Sequence, residues 1–226
     1  MSMQYLPFAA LAAGGGTPPA GLATFIGARD TGSGAPSGQP LSKRNEWAAY
    51  LSVTGAMDFE DKTVGNTLRG MTGSSNGTTI TLDISGTFST EYFTVSNNTS
   101  LGRYNTTPSG SKWGDIGFFD DNNDGIPWVI SFSSPVNAVG FYATDAGDFS
   151  TGVSFTVTMN RHGGGTDGPY TICAPGTANA ALHFFGIYEG NTPGGAYDSM
   201  TLLGDAADAI GIDDIICATY AQLNPA

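Results

Sequence analysis

The sequence predicts an all-β protein: an antiparallel jelly-roll-type β-sandwich with an extended Gly/Pro-rich N-terminal arm and one short helix. Beyond Met57 apolar residues alternate with a period of two, as in ITLDIS, where Ile80, Leu82 and Ile84 share one face. Turn signals punctuate these runs: SSNGTT, NNTS, SPVN, RHGGGTDGP and NTPGG. Composition agrees with both patterns. The 33 Gly and 12 Pro, with only 12% charged residues, suit many short strands and tight turns, and 13 Phe, 9 Tyr and 3 Trp supply apolar area for a full core.

Along the chain, residues 1–42 read as the extended arm. GGGTPPAG and TGSGAPSGQP bury too little to offset their ordering entropy, so an ordered arm implies a neighbouring subunit. The first residues, MSMQYLPFAALAAGGG, superficially resemble a signal peptide with Ala10-Leu11-Ala12 as an A-x-A site. They lack a basic n-region, because the first Arg is Arg29, and Pro7 interrupts the apolar run. The expectation is a chain made without a signal. Residues 43–56 hold the short helix and a connector: KRNEWAAYL follows Ser42 as N-cap, and Trp47, Tyr50 and Leu51 fall at helical spacing to dock it.

Residues 57–220 form the sandwich and 221–226 a C-terminal tail. Within it, VISFSSPVNAVGFYATDAGD (Val129 to Asp148) reads as two short strands around Pro135. Val139, Phe141 and Ala143 alternate with Gly140 and Tyr142 as in a half-buried strand, and Asp145 and Asp148 follow in a Gly-containing loop. VSFTVTM places Val153, Phe155, Val157 and Met159 on one face, and FFGIY, MTLL and the run from Ile210 to Ile216 supply further strands.

A net charge of −12 with eight Lys and Arg argues against binding nucleic acid or an anionic membrane surface. No run of 18 apolar residues predicts a membrane span. The carboxylate excess suits bound cations, a soluble outer surface, or both. Cys173 and Cys217 make neither a disulfide framework nor a C-x-x-C metal spacing; they are two buried thiols, or a single bridge between late strands.

No enzyme is expected. Gly73 to Gly77, GSSNG, fits G-x-S-x-G, and His162 to Gly165 reads HGGG. In esterases that element precedes the nucleophile and the elbow lies between strand and helix, whereas here the order is reversed and GSSNG sits in a polar turn. His162 and His183 make no strong base or metal site, and no carboxylate pair stands out for glycoside hydrolysis.

Two patterns point to ligands. Asp120, Asn122 and Asp124, followed by Gly125, match the first half of an EF-hand-type calcium loop, although Ser131 replaces the closing Glu; the other reading is an Asx-rich turn. Tyr104, Trp113, Trp128 and Tyr197 border loops and offer faces for sugar stacking, core packing being the alternative.

The ordered motifs MDFEDKTVGNTL, ISFSSPVNAVGFYATDAGDF, SFTVTM with GGGT, ALHFFGIYEG and AIGIDDIICA resemble the lectin-like or carbohydrate-binding-like sandwich of PEP-CTERM-type exported bacterial proteins, over residues 57–220. The resemblance implies surface or matrix association and sugar binding. It also implies a structural Ca²⁺ between the first and last strands, drawing on Glu60, Asp145 and Asp213-Asp214; strand alternation turns at most one of the last two, expected to be Asp214, toward the ion. A solvated acidic edge is the alternative.

The family's cleaved leader and its Pro-Glu-Pro sorting tail are not matched here. The expected setting is therefore a bacteriophage particle. The chain is a non-enzymatic decoration or tail-associated protein on the virion surface, contacting copies of itself and other virion subunits through residues 1–51 while its sandwich displays a glycan-binding surface. The alternative is a secreted, extracellular, calcium-stabilised carbohydrate-binding module of a bacterium.

Overall fold

The structure, a computed structural model, describes residues 21–29, 35–53, 55–84, 93–108, 110–118, 125–149, 152–190 and 192–224. Its elements are β1 (Leu22–Arg29), α1 (Gly38–Ala48), β2 (Met71–Ser75), β3 (Thr78–Ile84), β4 (Thr94–Ser96), β5 (Trp113–Gly117), β6 (Trp128–Val136), β7 (Ala138–Thr144), β8 (Phe155–Arg161), β9 (Thr166–Cys173), β10 (Leu182–Glu189), β11 (Tyr197–Leu203), β12 (Ala209–Ala218) and α2 (Tyr220–Leu223). Every strand pairing is antiparallel. Sheet I runs β1-β10-β7-β12-β5-β4 and sheet II runs β2-β3-β6-β11-β8-β9. The all-β sandwich is the architecture that the alternating pattern predicts. Among the described residues no helix is long and apolar enough to cross a membrane.

Between the sheets lies the main core, which includes Phe141, Phe185, Trp128, Phe155 and Met200. A second core sits on the far side of sheet I. There α1 lays Trp47 against Tyr142, Phe184 and Tyr188. This extra layer explains a departure from the sequence reading. β7 is not half-buried; all seven of its residues are buried, because its second face is covered as well as its first. β10 is likewise buried from end to end. Gly140 and Gly186 make the close approach feasible, since a Cβ on Gly186 would lie 2.8 Å from Trp47 Cγ.

Three further expectations are corrected. Leu22–Arg29 is not part of a free arm but the edge strand of sheet I, pairing residue by residue with β10 from Leu22↔Glu189 to Arg29↔Leu182. Residues 1–20 lie outside the described residues. The helix starts earlier than KRNEWAAYL suggests: Ser37 is its N-cap, Ser42 lies within it, and Leu51 packs from just beyond its end. Val153 precedes β8 and is exposed, leaving Phe155, Val157 and Met159 as the buried face.

Both cysteines are free and buried, Cys173 on sheet II and Cys217 on sheet I. Ser75, the serine of GSSNG, is buried at the end of β2. Its hydroxyl donates to Gly55 O (2.6 Å) and accepts from Cys217 N (2.9 Å), pinning the β2–β3 hairpin to β12.

Candidate functional site

Two carboxylate clusters flank the segment 102–107, whose Tyr104 packs into the second core. The first forms where the chain enters and leaves the sandwich. Met57 bridges Ile215 (N···O 2.9 and 3.0 Å), bringing Glu60 toward the last strand. β12 carries a bulge here: Asp213 faces Tyr142 but Ile216 faces Gly140, and Asp214 has φ 52°. One extra residue re-aims the side chains. Asp213 and Asp214 therefore do not point to opposite faces, as simple alternation predicts; both meet Thr106 and Thr107.

Asp213 Oδ2 accepts Thr106 N (2.7 Å), Thr106 Oγ1 (3.0 Å) and Asn105 Nδ2 (3.2 Å), while its Oδ1 accepts Asp214 N (2.9 Å). Thr107 Oγ1 donates to Asp214 Oδ1 at 2.7 Å, and Thr106 Oγ1 also lies 3.1 Å from Asp214 Oδ2. That hydroxyl has one proton for two carboxylates. Burial and the neighbouring Asp214 hold the Asp213 carboxyl well above the usual carboxylate range, and burial raises Asp214 too. Glu60 joins the cluster through Asn105, whose Nδ2 is 3.0 Å from Glu60 Oε1; that oxygen also accepts Ser111 N and Lys112 N, each at 2.7 Å. Lys112 Nζ donates to the carbonyls of Glu60 and Lys62, both at 2.7 Å.

The sequence thus places Glu60 and Asp214 in one cluster, linked through Asn105, Thr106 and Asp213. Glu60 Oε1 and the oxygens of Asp213 and Asp214 accept from N–H and O–H donors, and the Lys112 ammonium sits on the neighbouring carbonyls. Among the described residues no three His, Cys, Asp or Glu side chains are grouped so as to hold a metal ion. Asp120, Asn122 and Asp124 lie outside the described residues.

Asp145 belongs to the second cluster, at the loop end of sheet I. It follows β7 with φ 66°, and its Oδ1 accepts Ala180 N at 2.7 Å. Arg103 reaches both Asp115 Oδ1 (2.9 Å) and Asp145 Oδ2 (3.7 Å). Burial outweighs that guanidinium and lifts Asp115 and Asp145 each to about 6.

The four aromatic residues expected to stack on sugars are all core. Tyr104 is 3% exposed, Trp113 1%, and Trp128 and Tyr197 0%. Trp128 Nε1 donates to Gly117 O (2.7 Å), and Tyr197 OH donates to Asp167 Oδ2 (2.8 Å). Aromatic rings bordering polar loops in sequence lie on the inward half of each alternation, so no face is left for a ring to stack on.

Among the described residues, the outer face of sheet II is left uncovered. Its register aligns Thr72–Thr81–Ser131–Ser199–Asn160–Thr166 in one row across all six strands, β2-β3-β6-β11-β8-β9. The next row is Asp83–Val129–Thr201–Thr158, then Leu203–Thr156–Thr171. These residues are half-buried or exposed, alternating with core residues such as Leu82, Ile130, Met200 and Met159. Asn160 Nδ2 donates to Ser199 Oγ (2.9 Å) and lies 3.0 Å from Thr201 Oγ1, tying the rows together. Asp83 is the single carboxylate of the three rows, with Arg69 at 3.9 Å.

No family model matches the chain, that of the exported bacterial module included, and no curated protein matches it. Solved structures do. The chain is similar to the K2 cleaved adhesin domain of Lys-gingipain, with 13% identity, a TM-score of 0.42, and coverage of 73% of this chain and 97% of that one. It is similar to the carbohydrate-binding module TmCBM61, solved with β-1,4-galactotriose, at 12% identity and a TM-score of 0.30, covering 61% of this chain and 88% of the other. A third is the enzymatically active domain of tailspike protein 4 of bacteriophage CBA120, at 14% identity and a TM-score of 0.36, where 75% of this chain matches 21% of that one.

Proposed function

We propose that the chain is a non-enzymatic binding module that recognises a glycan through the open face of sheet II. The observation that carries this reading is the six-residue row of hydroxyl and amide side chains, Thr72 to Thr166. Ser and Thr hydroxyls both donate and accept, as sugar hydroxyls do. Strands about 4.7–4.9 Å apart repeat these groups at a regular spacing, which suits a repeating polymer. A chain of net charge −12 keeps all but one carboxylate off these rows. The surface therefore favours neutral, polyhydroxylated partners over ionic ones.

Binding of wild-type protein to a glycan array and to insoluble polysaccharides is the direct test. Thr81→Arg and Thr201→Arg place a bulky charge on the face without touching the core, and each is expected to weaken binding at least about tenfold with an unchanged circular dichroism spectrum. A blank array, or variants that bind as wild type, would sink the reading.

The setting proposed is a bacteriophage particle, the chain serving as a decoration or tail-associated protein that contacts copies of itself and other virion subunits. Since residues 22–29 and 38–51 pack on the chain's own sandwich, the arm left for neighbours is residues 1–20, and its Gly- and Pro-rich sequence is what supports this role. Deleting residues 1–20 is expected to abolish comigration with DNA-filled particles in a density gradient while leaving the fold intact. Should the natural protein sediment as a soluble or envelope species, the extracellular module is the better setting, with the same sheet face.

A further inference from the structure

We propose that the Asp198–His162 pair is the subsite that selects the sugar on the open face of sheet II, the Asp198 carboxylate accepting two adjacent hydroxyls of a neutral glycan. This inference rests on the glycan-binding reading above and names the residue that gives it specificity. Rows of Ser and Thr discriminate poorly among polyols, because each hydroxyl rotates to donate or accept as needed. A fixed charged acceptor is different. Its hydrogen bonds are shorter and about twice as strong as neutral ones.

Asp198 reaches the face through a bulge. β11 pairs Tyr197 with Arg161 but Ser199 with Asn160, so the register shifts at Asp198. Tyr197 and Met200 are buried, and the two residues between them both face outward. A bulge re-aims side chains in this way. His162 continues the outward series Thr156, Thr158 and Asn160, one residue beyond β8. Its Nδ1 lies 2.9 and 3.2 Å from the two Asp198 oxygens. The pair borders the long hydroxyl row at Ser199, whose Oγ accepts Asn160 Nδ2 at 2.9 Å. Residues 132–135 of β6 face the bulge, between the pairs Ser131–Ser199 and Val136–Tyr197. Among them Ser133 accepts Thr79 N at 2.9 Å, and Thr79 pairs with Ser74. Exposed Ser74, Thr79 and Ser133 thus begin a further polar row that ends at Asp198 and His162.

Both members of the pair are held from behind. The residues that precede them, His162 after Arg161 and Asp198 after Tyr197, are locked on Asp167. Arg161 Nε and Nη2 reach its two oxygens at 3.0 and 2.7 Å, and Tyr197 OH donates to Oδ2 at 2.8 Å. The guanidinium also lies 5.5 Å from the centroid of the Tyr197 ring. The pair itself is open, with the His162 and Asp198 side chains 55% and 51% exposed. Gly163, Gly164 and Gly165 stand clear of their surroundings, since a Cβ on any of them would meet nothing within 4 Å. A carboxylate offers about four acceptor sites and no donor. The imidazole N–H takes the side turned toward it, and the remaining sites face solvent, where neighbouring hydroxyl protons can be accepted together. A negatively charged sugar is repelled from the same position. Asp83, at another border of the rows, lacks this arrangement: its Oδ1 accepts Ile84 N at 2.8 Å, and Arg69 is 3.9 Å away.

Affinity gel electrophoresis of the full chain in galactan, mannan, xylan and β-glucan, with polygalacturonate as the acidic control, tests the subsite. Wild type is expected to be retarded by at least one neutral polymer and not by polygalacturonate. Asp198→Asn should weaken that binding about tenfold, and Asp83→Asn should leave it within about twofold, both with an unchanged circular dichroism spectrum. His162→Ala should lose part of the same affinity and add nothing in the double variant with Asp198→Asn, because the imidazole acts by orienting the carboxylate. An Asp198→Asn chain that binds as tightly as wild type would overturn the subsite and leave the glycan face standing. Equal losses in Asp198→Asn and Asp83→Asn, or wild-type binding to polygalacturonate as strong as to the neutral polymers, would do the same. If the wild-type chain binds none of these polymers and no array glycan, face and subsite fall together.

Discussion

Replacing Trp47 with alanine is expected to remove about 3–5 kcal/mol of folding stability, the range for deleting a large buried aromatic ring. Trp47 is 0% exposed. Its Nε1 donates to Ile187 O at 2.9 Å, and its ring is tilted against Phe184 at 5.7 Å between centroids. The neighbouring surface is shaped for it: Gly140 and Gly186 have no Cβ, and one on Gly140 would stand 3.0 Å from Trp47 Cη2. Backbone at those glycines cannot relax into the void, so the cavity term should be felt in full. Trp47→Phe keeps a ring but drops the hydrogen bond, and a smaller loss of about 1–2 kcal/mol is expected. Urea denaturation measures both. A loss below about 1 kcal/mol for Trp47→Ala would mean that α1 is an accessory rather than a third layer of the fold.

The second large effect is expected at Asp213. Asp213→Ala strands the buried N–H of Thr106 and opens a polar gap, for a loss of about 2–4 kcal/mol; Asp213→Asn keeps an acceptor and should lose less. The pair also sets a pH dependence. Asp213 and Asp214 are both raised above their unfolded value, the first by burial and then by its neighbour, so the folded state holds a proton that the unfolded chain releases near pH 4. Stability from this pair is therefore fully present at the acid side and is lost as pH rises through the folded values.

Asp115 and Asp145, at about 6, and Asp208, at about 7, act in the same direction. The groups that face the pair do not reverse it: Asp58 favours the protonated form of Asp214, whereas Arg44 on α1 opposes only part of the rise. Unfolding free energy should fall as pH rises from 5 to 8, and Asp213→Asn should make that fall smaller. Stability that instead grows over this range would show that the carboxylates stay ionised.

The architecture was legible because burial follows from alternation, and alternation is a local property. Ile80, Leu82 and Ile84 had to share a face whatever they packed against, and so did Phe155, Val157 and Met159. The hydroxyl surface was written in the same strings, in the polar members of ITLDIS, VISFSS and FTVTMN, but only the register of sheet II turns those scattered residues into one row from Thr72 to Thr166. The proximity of Glu60 to Asp213-Asp214 was also foreseen, through the order of the first and last strands. What those carboxylates do was not, because it depends on Asn105, Thr106 and Lys112, more than 40 residues from Glu60.

Composition and period two alone determined the sandwich, its turns and its acidic character, since each depends on residue type and near neighbours. Tertiary structure decided the rest. A bulge at Asp214 overrode alternation by one residue, and a helix laid on β7 and β10 converted half-buried strands into fully buried ones. Edge pairing with β10 took Leu22–Arg29 out of the arm. In each case the deciding contact joins residues far apart in the chain, where no local rule reaches.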